Sequence, residues 1–320
     1  TRSPLAAADT SHASLMSFVL AMVQHPHVQA RAQEEIDQVT GSERLPNMAD
    51  KESMPYVRCI VREVLRWLPP LPLGVPRATT KDDEYRGYLI PKGSIIMTNA
   101  WAMSRDESLY KSPETFDPER FLNLDAPSAP AFGFGRRSCP GNHYAEASLF
   151  ILIASILAVF DIKPKINHLT GKEEIPEDEH ITYAKWCKEL GSDILSLTVL
   201  GQTIVVLNSV NAATELLDQR SAIYSDRPYL RVVCDPRLLD WGDGIIVLPY
   251  GPRWKKQRRI IHEVLKPSIN VQNFVLFERE TRAMLKRLVV NPEDFEKEFR
   301  RYFLDHISPV GLTTNVYVIL

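Results

Sequence analysis

The sequence has 320 residues, 44% hydrophobic and 24% charged, a composition typical of globular proteins that excludes disordered and collagen-like chains. Thirty-eight basic and forty acidic residues give a net charge of -2, which argues against the strongly basic surface of a nucleic-acid-binding protein. The cysteines are far apart, which argues against a disulfide scaffold or a structural zinc site and indicates a reducing compartment. The longest apolar run, residues 149–160, is shorter than the roughly 20 residues that a membrane-spanning helix needs.

The first part of the chain is predicted to be mainly helical. Apolar residues recur at helical spacing in three segments, residues 6–24, 27–39 and 54–68. The helical spacing of apolar residues then ends, and residues 88–90 and 94–99 predict two short strands joined by a turn. Residues 112–135 have little periodicity and much proline, which predicts a long ordered coil, and a strongly apolar helix is predicted over residues 140–160.

The second part is predicted to combine a hairpin with further helices. An acidic connector over residues 164–180 precedes it. Residues 194–199 and 203–207 flank a Gly-Gln pair, which predicts a β-hairpin. Helices are predicted at three places, residues 212–219, 253–265 and 271–289. The sequence therefore predicts a mainly α fold with one small β-sheet.

Cys139 lies in a glycine-rich turn directly before the apolar helix. Backbone N–H groups of such a turn and the positive end of a helix stabilise a thiolate, which is the form that binds a metal. Pro140 suits the first turn of the helix. An isolated cysteine would more often be a small buried residue, so the interpretation depends on the flanking residues.

Those flanking residues resemble the haem-binding signature of the cytochrome P450 family, most closely its fungal microsomal members. The pattern F-x-x-G-x-R-x-C-x-G-x-x-x-A is matched by Phe132, Gly135, Arg137, Cys139, Gly141 and Ala145. The resemblance implies a mainly α fold with a small sheet that binds haem b (iron protoporphyrin IX). It implies that the Cys139 sulfur is the axial iron ligand and that Phe132 and Arg137 contact the cofactor.

Glu63 and Arg66 match the E-x-x-R motif of the same family, at a spacing that lets the two side chains pair on one helix face. Glu298 and Arg301 have the same spacing, so the spacing alone does not discriminate. Only the first pair is followed by a Pro-Glu-Arg-Phe string, whose Arg120 the resemblance joins to the pair. The implied role of these three residues is structural, to hold the cysteine loop, and an ordinary surface pair is the alternative.

Asp9 and Thr10 are the implied catalytic residues. The string Ala-Ala-Ala-Asp-Thr over residues 6–10 resembles the A-G-x-D/E-T element of the family's long central helix, with alanine in place of the glycine. A threonine hydroxyl and an acid on a locally opened helix can deliver protons to dioxygen. An Asp-Thr pair is also a common helix N-cap, but the resemblance favours the catalytic role.

Three further residues are implied partners of the haem propionates, which are anionic and need basic or N–H donors. They are Arg77, expected ahead of the small sheet, and the Trp254 and Arg258 of a W-x-x-x-R motif. Trp101 and Arg105 have the same spacing but follow a predicted strand, where the family has no such site. Ordinary packing or surface roles are the alternative for each of them.

The motifs do not follow the family's order. Residues 1–180 resemble its C-terminal, haem-binding half, from the central helix to the cysteine loop, and residues 181–320 resemble its N-terminal part, with residues 304–320 as an unassigned tail. The helices that roof the substrate pocket and the membrane anchor have no counterpart. We therefore expect an incomplete and permuted fold, in which the hairpin still pairs with residues 94–99.

The resemblance implies a haem-thiolate monooxygenase that inserts one oxygen atom of dioxygen into a lipophilic small-molecule substrate. A flavin reductase that uses NADPH would supply the electrons, since no G-x-G-x-x-G motif follows a strand here. The alternative is a non-catalytic haem-binding remnant from a rearranged or misassembled gene. The family associates with the endoplasmic reticulum membrane, whereas this chain has no counterpart of the anchor, so a cytoplasmic or an unassigned location is expected for it, and it is expected to bind no nucleic acid.

Overall fold

A computed structural model describes most of the chain. The described residues are 3–41, 43–123, 126–163, 179–199, 202–229, 234–235, 242–266, 268 and 271–307. Within them, the four cysteines are free thiols. Among the same residues, the structure has no helix that is both long enough and apolar enough to span a membrane.

Helices dominate the described residues. The first part contains α1 Ser3–Gln24, α2 Pro26–Thr40, α3 Pro55–Trp67, α4 Ala100–Met103 and α5 Asn142–Leu157. The second part contains α6 Glu179–Leu190, α7 Val210–Ala213, α8 Pro252–Leu265, α9 Phe274–Val290 and α10 Phe295–Ile307. The sequence predicts α1, α2, α3, α5, α8 and α9 to within a few residues, and it misses α4, α6 and α10. The helix predicted over residues 212–219 is a short α7 continued by a π-helix, Thr214–Gln219.

A four-stranded sheet has the strand order β1 Arg77–Ala78, β4 Ile95–Thr98, β6 Gln202–Leu207 and β5 Ile194–Val199. The strands β5 and β6 form the predicted hairpin, and this hairpin pairs with β4 as expected, through a parallel pairing of β6 with β4. Arg77 lies within this sheet, opposite Ile96, and not ahead of it as expected. The two-residue strand that contains Arg77 is too short to show a periodic pattern.

The predicted turn between residues 88–90 and 94–99 does not join paired strands. Instead β3 Tyr88–Ile90 pairs with β2 Asp83–Tyr85 in a separate two-stranded hairpin, so the described residues contain two small sheets. The sequence analysis misses β2 because Asp83 and Glu84 are poor strand formers. The mainly α fold with little β-structure is confirmed, and the described residues of the predicted coil contain only short 3-10 turns.

One hydrophobic core combines residues from both parts of the chain. Leu15 and Phe18 of α1 are fully buried in the same cluster as Phe277 of α9 and Phe299 of α10. The helix α5 lies in this cluster, and because it is apolar on all sides every residue from position 147 to 157 is buried. Burial of each large apolar side chain contributes about 1.5–3 kcal/mol, so the contacts between the two parts of the chain add to the stability of the fold.

The assignment of residues 1–180 and 181–320 to the two halves of the family, and the permuted order, stay predictions. Residues 164–178 of the connector and 308–320 of the tail lie outside the described residues. The helix α10 continues to Ile307, beyond the start of the predicted unassigned tail at residue 304.

Candidate functional site

The loop before α5 presents Cys139. Two short 3-10 segments, Pro130–Phe132 and Gly135–Arg137, shape this loop. It is closed by a 2.8 Å hydrogen bond in which the Cys139 N–H donates to the carbonyl of Phe132. Because α5 begins three residues after the cysteine, the thiol lies near the positive end of a long helix. We name residues 132–141 the cysteine loop.

Gly135 sets how closely the cysteine loop approaches the π-helix. Its φ is +52°, a left-handed conformation that favours glycine. A Cβ at this position would lie 2.3 Å from the carbonyl oxygen of Leu217 and 2.8 Å from a carboxylate oxygen of Asp218. Any larger residue would therefore move the loop away from the π-helix.

The Cys139 thiol has opposing electrostatic influences. Cys139 is exposed, although protein atoms close to its sulfur partly desolvate the thiol. The resulting desolvation raises the pKa of the Cys139 thiol, whereas a hydrogen bond from the Gly141 N–H and the positive charge of Arg258 lower it. A thiol so placed is accessible to a metal ion, and coordination would remove its proton.

Arg77 has a buried donor that suits an anion. Its Nη2 donates to the carbonyl of Phe134 at 2.6 Å, while its buried Nη1 has no hydrogen-bond partner among the described residues. Burial lowers the pKa of Arg77 to about 10, and the charge of Asp218 opposes this. A buried guanidinium with a free donor is suited to bind an anion.

Arg137 lies beside Arg77 and is also buried. Burial lowers the pKa of Arg137 to about 10, the charge of Asp226 opposes this, and the positive charge of Arg77 adds to the lowering. Two buried guanidinium groups that repel each other are stabilised by a carboxylate or phosphate between them. The electrostatics of this region therefore favour an anionic ligand.

Trp254 and Arg258 extend the cluster from α8. Trp254 is buried, and its ring centre lies 4.2 Å from the guanidinium carbon of Arg137. Arg258 lies near Cys139, and burial lowers the pKa of its guanidinium while the cysteine charge opposes this. The structure thus brings Arg77, Arg137, Cys139, Trp254 and Arg258 together. Phe132 packs against the main core at the start of the cysteine loop, and its described polar contact is through its carbonyl.

The Glu63 carboxylate binds two arginines. Arg66 donates to both of its oxygens at 2.8 Å, and the Arg120 Nε donates to one of them at 3.2 Å. The Glu63 and Arg66 side chains have no exposed surface, and Arg66 also donates to the carbonyls of Ser104 and Pro113 at 2.8 Å. The group therefore ties α3 to the coil that leads towards the cysteine loop.

Asp9 and Thr10 lie on α1. The Asp9 carboxylate pairs with Arg300 of α10 at 3.5 Å, and both side chains are more than half exposed. Thr10 is half-buried, and its carbonyl accepts a hydrogen bond from the Ser14 hydroxyl at 3.1 Å. Their described contacts do not link them to the cysteine loop.

The sequence analysis assigns no role to Arg227, which the structure places beside Arg77 and Arg137. The mutual repulsion of these charges contributes to its pKa, which burial lowers to about 9. The only local signal is an Asp-Arg-Pro string, which is typical of many turns.

The residues around Cys139 fit a haem b group. The exposed Cys139 sulfur suits the iron, and the unpartnered donor of Arg77, with Arg137, Trp254 and Arg258 nearby, suits the propionate carboxylates. These donors come from β1, the cysteine loop and α8, so the fold itself assembles them.

Comparisons with known proteins agree with this fit. The sequence pattern of the family described as Cytochrome P450 matches residues 4–183 and residues 169–310. Cytochrome P450 monooxygenase 105 of Postia placenta is 46% identical over 178 residues, 54% of this chain and 34% of that protein. Cytochrome P450 monooxygenase 176 of the same fungus is 49% identical over 179 residues, 54% of this chain and 34% of that protein.

A relative from another fungus is similar over the same extent. Cytochrome P450 monooxygenase COX1 of Coprinopsis cinerea is 50% identical over 176 residues, 52% of this chain and 34% of that protein. The chain thus spans about a third of the length of the curated relatives it matches. A solved zebrafish cytochrome P450 with abiraterone is 32% identical, with a TM-score of 0.44, over 47% of this chain and 36% of that chain.

Proposed function

Because this chain belongs to the cytochrome P450 family, we propose that it carries the haem site of a haem-thiolate monooxygenase. The observation that carries the proposal is that Cys139 and the unpartnered donor of buried Arg77 belong to one cluster, to which Trp254 also belongs. The proposed reaction inserts one oxygen atom of dioxygen into a lipophilic organic substrate. When bound, haem b with a thiolate ligand supplies the activation of dioxygen.

The cysteine loop would hold Cys139 as a thiolate. The Gly141 N–H donates to the sulfur, and the positive charge of Arg258 favours the deprotonated form. The N-terminal end of α5 acts in the same direction. These three influences oppose the desolvation that raises the pKa of the free thiol.

The basic cluster would orient the cofactor through its carboxylates. Arg77 has a free donor for one of them, and Arg137 and Arg258 add positive charge beside it. The indole N–H of Trp254 is a further donor, and its buried ring keeps water away from the guanidinium of Arg137.

Asp9 and Thr10 would deliver protons to dioxygen. The Asp9–Arg300 pair is exposed, so it contributes little free energy to the fold. The half-buried Thr10 lies beside it on α1. This role rests on the resemblance of residues 6–10 to the family's proton-delivery element.

Glu63, Arg66 and Arg120 would act structurally. Their shared hydrogen bonds restrain the coil between α3 and the cysteine loop, and none of them is proposed to contact the cofactor. We further propose that the order of the two parts is permuted relative to the family. The pairing of β6 with β4 supports this, because it lets parts from opposite ends of the chain share one sheet.

The electron donor would be a flavin reductase that uses NADPH, and the endoplasmic reticulum membrane is the proposed location of the whole protein. Lys255 of α8 and Arg136 of the cysteine loop both contact Tyr250, so two positive charges lie on the side of the protein that carries the cysteine loop. Such charge would steer an acidic partner surface. The names of the relatives favour an active monooxygenase over a non-catalytic remnant.

The reduced carbon-monoxide difference spectrum of the haem-reconstituted chain tests this proposal. A thiolate-type Soret band is expected, since the Cys139 sulfur is the proposed ligand. An ordinary haem band would contradict thiolate ligation and favour the remnant, and the absence of haem binding would contradict the site as a whole.

A further inference from the structure

Arg227 holds together two segments that are distant in sequence. Its Nη1 donates to the carbonyls of Val75 at 2.7 Å and Pro76 at 2.6 Å, and its Nε donates to the carbonyl of Ile246 at 2.8 Å. The first two acceptors directly precede Arg77 in β1, and the third lies shortly before α8, which carries Trp254. One planar guanidinium therefore sets the distance between two backbone segments, one that leads into β1 and one that leads into α8, and both of these elements supply side chains to the site.

The residue before it reinforces this link. The carbonyl of Asp226 accepts a 2.9 Å hydrogen bond from the Ala78 N–H of β1. Its carboxylate oxygen accepts from the Tyr250 N–H at 2.8 Å and from the Arg227 N–H at 3.0 Å. The Asp226–Arg227 pair thus binds β1 on one side and residues 246–250 on the other.

Two other arginines complete a closed ring of contacts. Arg137 of the cysteine loop donates to the carbonyls of Ser225 and Leu248, at 2.8 Å each. Arg77 of β1 donates to the carbonyl of Phe134, in the cysteine loop, at 2.6 Å. The ring therefore runs from β1 to the cysteine loop, then to the carbonyls of Ser225 and Leu248, and back to β1 through the guanidinium that binds Val75.

We propose that Arg227 is a positioning residue, which holds Arg77 and Trp254 in place for the carboxylates of haem through its three carbonyl contacts and not through its charge. This inference rests on the proposed function. Lysine has the same charge but a single ammonium on a flexible stem, so it cannot reproduce the planar fork that reaches both segments. Arg77, in contrast, has the free donor that contacts the ligand itself.

The burial of Arg227 agrees with this division of roles. Its positive charge is unfavourable beside Arg137 and Arg77, and burial together with their repulsion lowers the pKa of Arg227 to about 9. A third buried positive charge beside these two lowers the stability of the fold unless its hydrogen bonds offset the loss of hydration. The residue is thus better suited to bind carbonyl groups than to add charge.

The test compares haem b with its dimethyl ester, in which both carboxylates are neutral. The haem-free chain is titrated with each compound. The dissociation constant of the dimethyl ester divided by that of haem b is a ratio that measures how well the carboxylates are recognised. We expect Arg227→Lys and Arg227→Gln each to lower this ratio about tenfold, with the far-UV circular dichroism unchanged. The matched control is Arg279→Lys, because Arg279 is exposed and pairs with Glu280 only on the surface of α9.

Each other outcome overturns the inference. If Arg227→Lys keeps the ratio and Arg227→Gln loses it, the residue acts through its charge. If both variants keep the ratio, Arg227 does not position the site. If Arg227→Lys loses its helical signal, the residue serves the whole fold. A natural chain that binds neither compound would contradict the proposed function and the inference with it.

Discussion

The guanidinium carbon of Arg137 lies 4.2 Å from the centre of the Trp254 ring. Arg137 belongs to the cysteine loop and Trp254 to α8, so this contact joins the two parts of the chain beside the candidate haem site. Cation–π contacts contribute about 0.5–1 kcal/mol at exposed sites and about 2 kcal/mol when desolvated. With Trp254 only 5% exposed, this contact belongs to the desolvated class.

Trp254→Leu is expected to lower the free energy of unfolding by about 3 kcal/mol, because it removes both the buried ring and the partner of Arg137. Trp254→Phe keeps an aromatic face and should lower it by about 1 kcal/mol. Urea denaturation measures both values. Trp186→Phe is the control, since Trp186 is 39% exposed and the change should stay within about 0.5 kcal/mol. Equal losses for the two Trp254 variants would show that the aromatic contact contributes nothing.

Glu63→Gln is expected to lower the free energy of unfolding by about 3–5 kcal/mol, because it leaves the buried charges of Arg66 and Arg120 without a carboxylate. Glu298→Gln is a matched control with the same E-x-x-R spacing. Its partners Arg287 and Arg301 are 33% and 54% exposed, so water replaces the lost carboxylate and the expected loss is about 1 kcal/mol. Similar losses in urea denaturation would contradict the structural role of the first group.

Cys139→Ser is expected to abolish the thiolate-type band in the reduced carbon-monoxide difference spectrum. The replacements Cys59→Ser, Cys187→Ser and Cys234→Ser are the controls and should keep it, because only Cys139 lies in the glycine-rich turn before α5. A thiolate-type band in the Cys139→Ser variant would assign the iron ligand to another residue.

Alkylation of Cys139 in the haem-free chain is expected to be slow at neutral pH. Burial raises the pKa of this thiol, so the reactive thiolate forms at higher pH than in the denatured chain. Arg258→Gln should move the pH midpoint higher still, because the positive charge of Arg258 lowers the pKa of Cys139. Mass spectrometry of iodoacetamide-treated samples measures the rate against pH, with Arg259→Gln as the control. A midpoint below that of the denatured chain would show that the charges outweigh desolvation.

Charge reversal at Lys255 and Lys256 is expected to slow haem reduction by a flavin reductase about tenfold at low salt and to weaken its dependence on ionic strength. Both lysines are exposed on α8, and Lys255 lies 5.3 Å from the Tyr250 ring centre, close to the cysteine loop. Lys286→Glu, on α9, is the control for net charge. Stopped-flow absorbance follows the reduction, and an unchanged rate would exclude this face as the docking surface.

Contiguous patterns predicted the parts of the site that lie close together in the sequence. The signature around Cys139 is local, and the Pro-Glu-Arg-Phe string that follows Glu63 and Arg66 distinguishes this pair from Glu298 and Arg301. The resemblance of these short motifs to the family therefore indicates the loop and the ion pair. The Gly-Gln pair predicted the hairpin of β5 and β6, and the resemblance to the family gave the expectation that this hairpin pairs with β4. The mainly α fold follows from the same helical periodicity.

The other parts of the fold and of the site depend on contacts between residues far apart in the sequence, which no local pattern predicts. Arg227 binds carbonyl groups of residues far away in the sequence, and any residue can supply a carbonyl. Residue 77 lies in a strand of two residues, which has no measurable period. The helix α10 mixes charged and aromatic residues, and Phe299 and Tyr302 become fully buried only against α1 and α9. Tertiary packing, and not the intrinsic secondary-structure propensity of the residues, therefore determines these parts of the structure.

The shared core has a consequence for synthesis on the ribosome. The helices α1, α3 and α5 are synthesised before α9 and α10, and their buried side chains share one cluster with Phe277, Phe299 and Tyr302. Until α9 and α10 have been translated, the nascent chain exposes apolar surface of the kind that chaperones bind. The proposed haem site is therefore complete only once α8 has been translated, since Trp254 and Arg258 follow Cys139 at a long distance in the sequence.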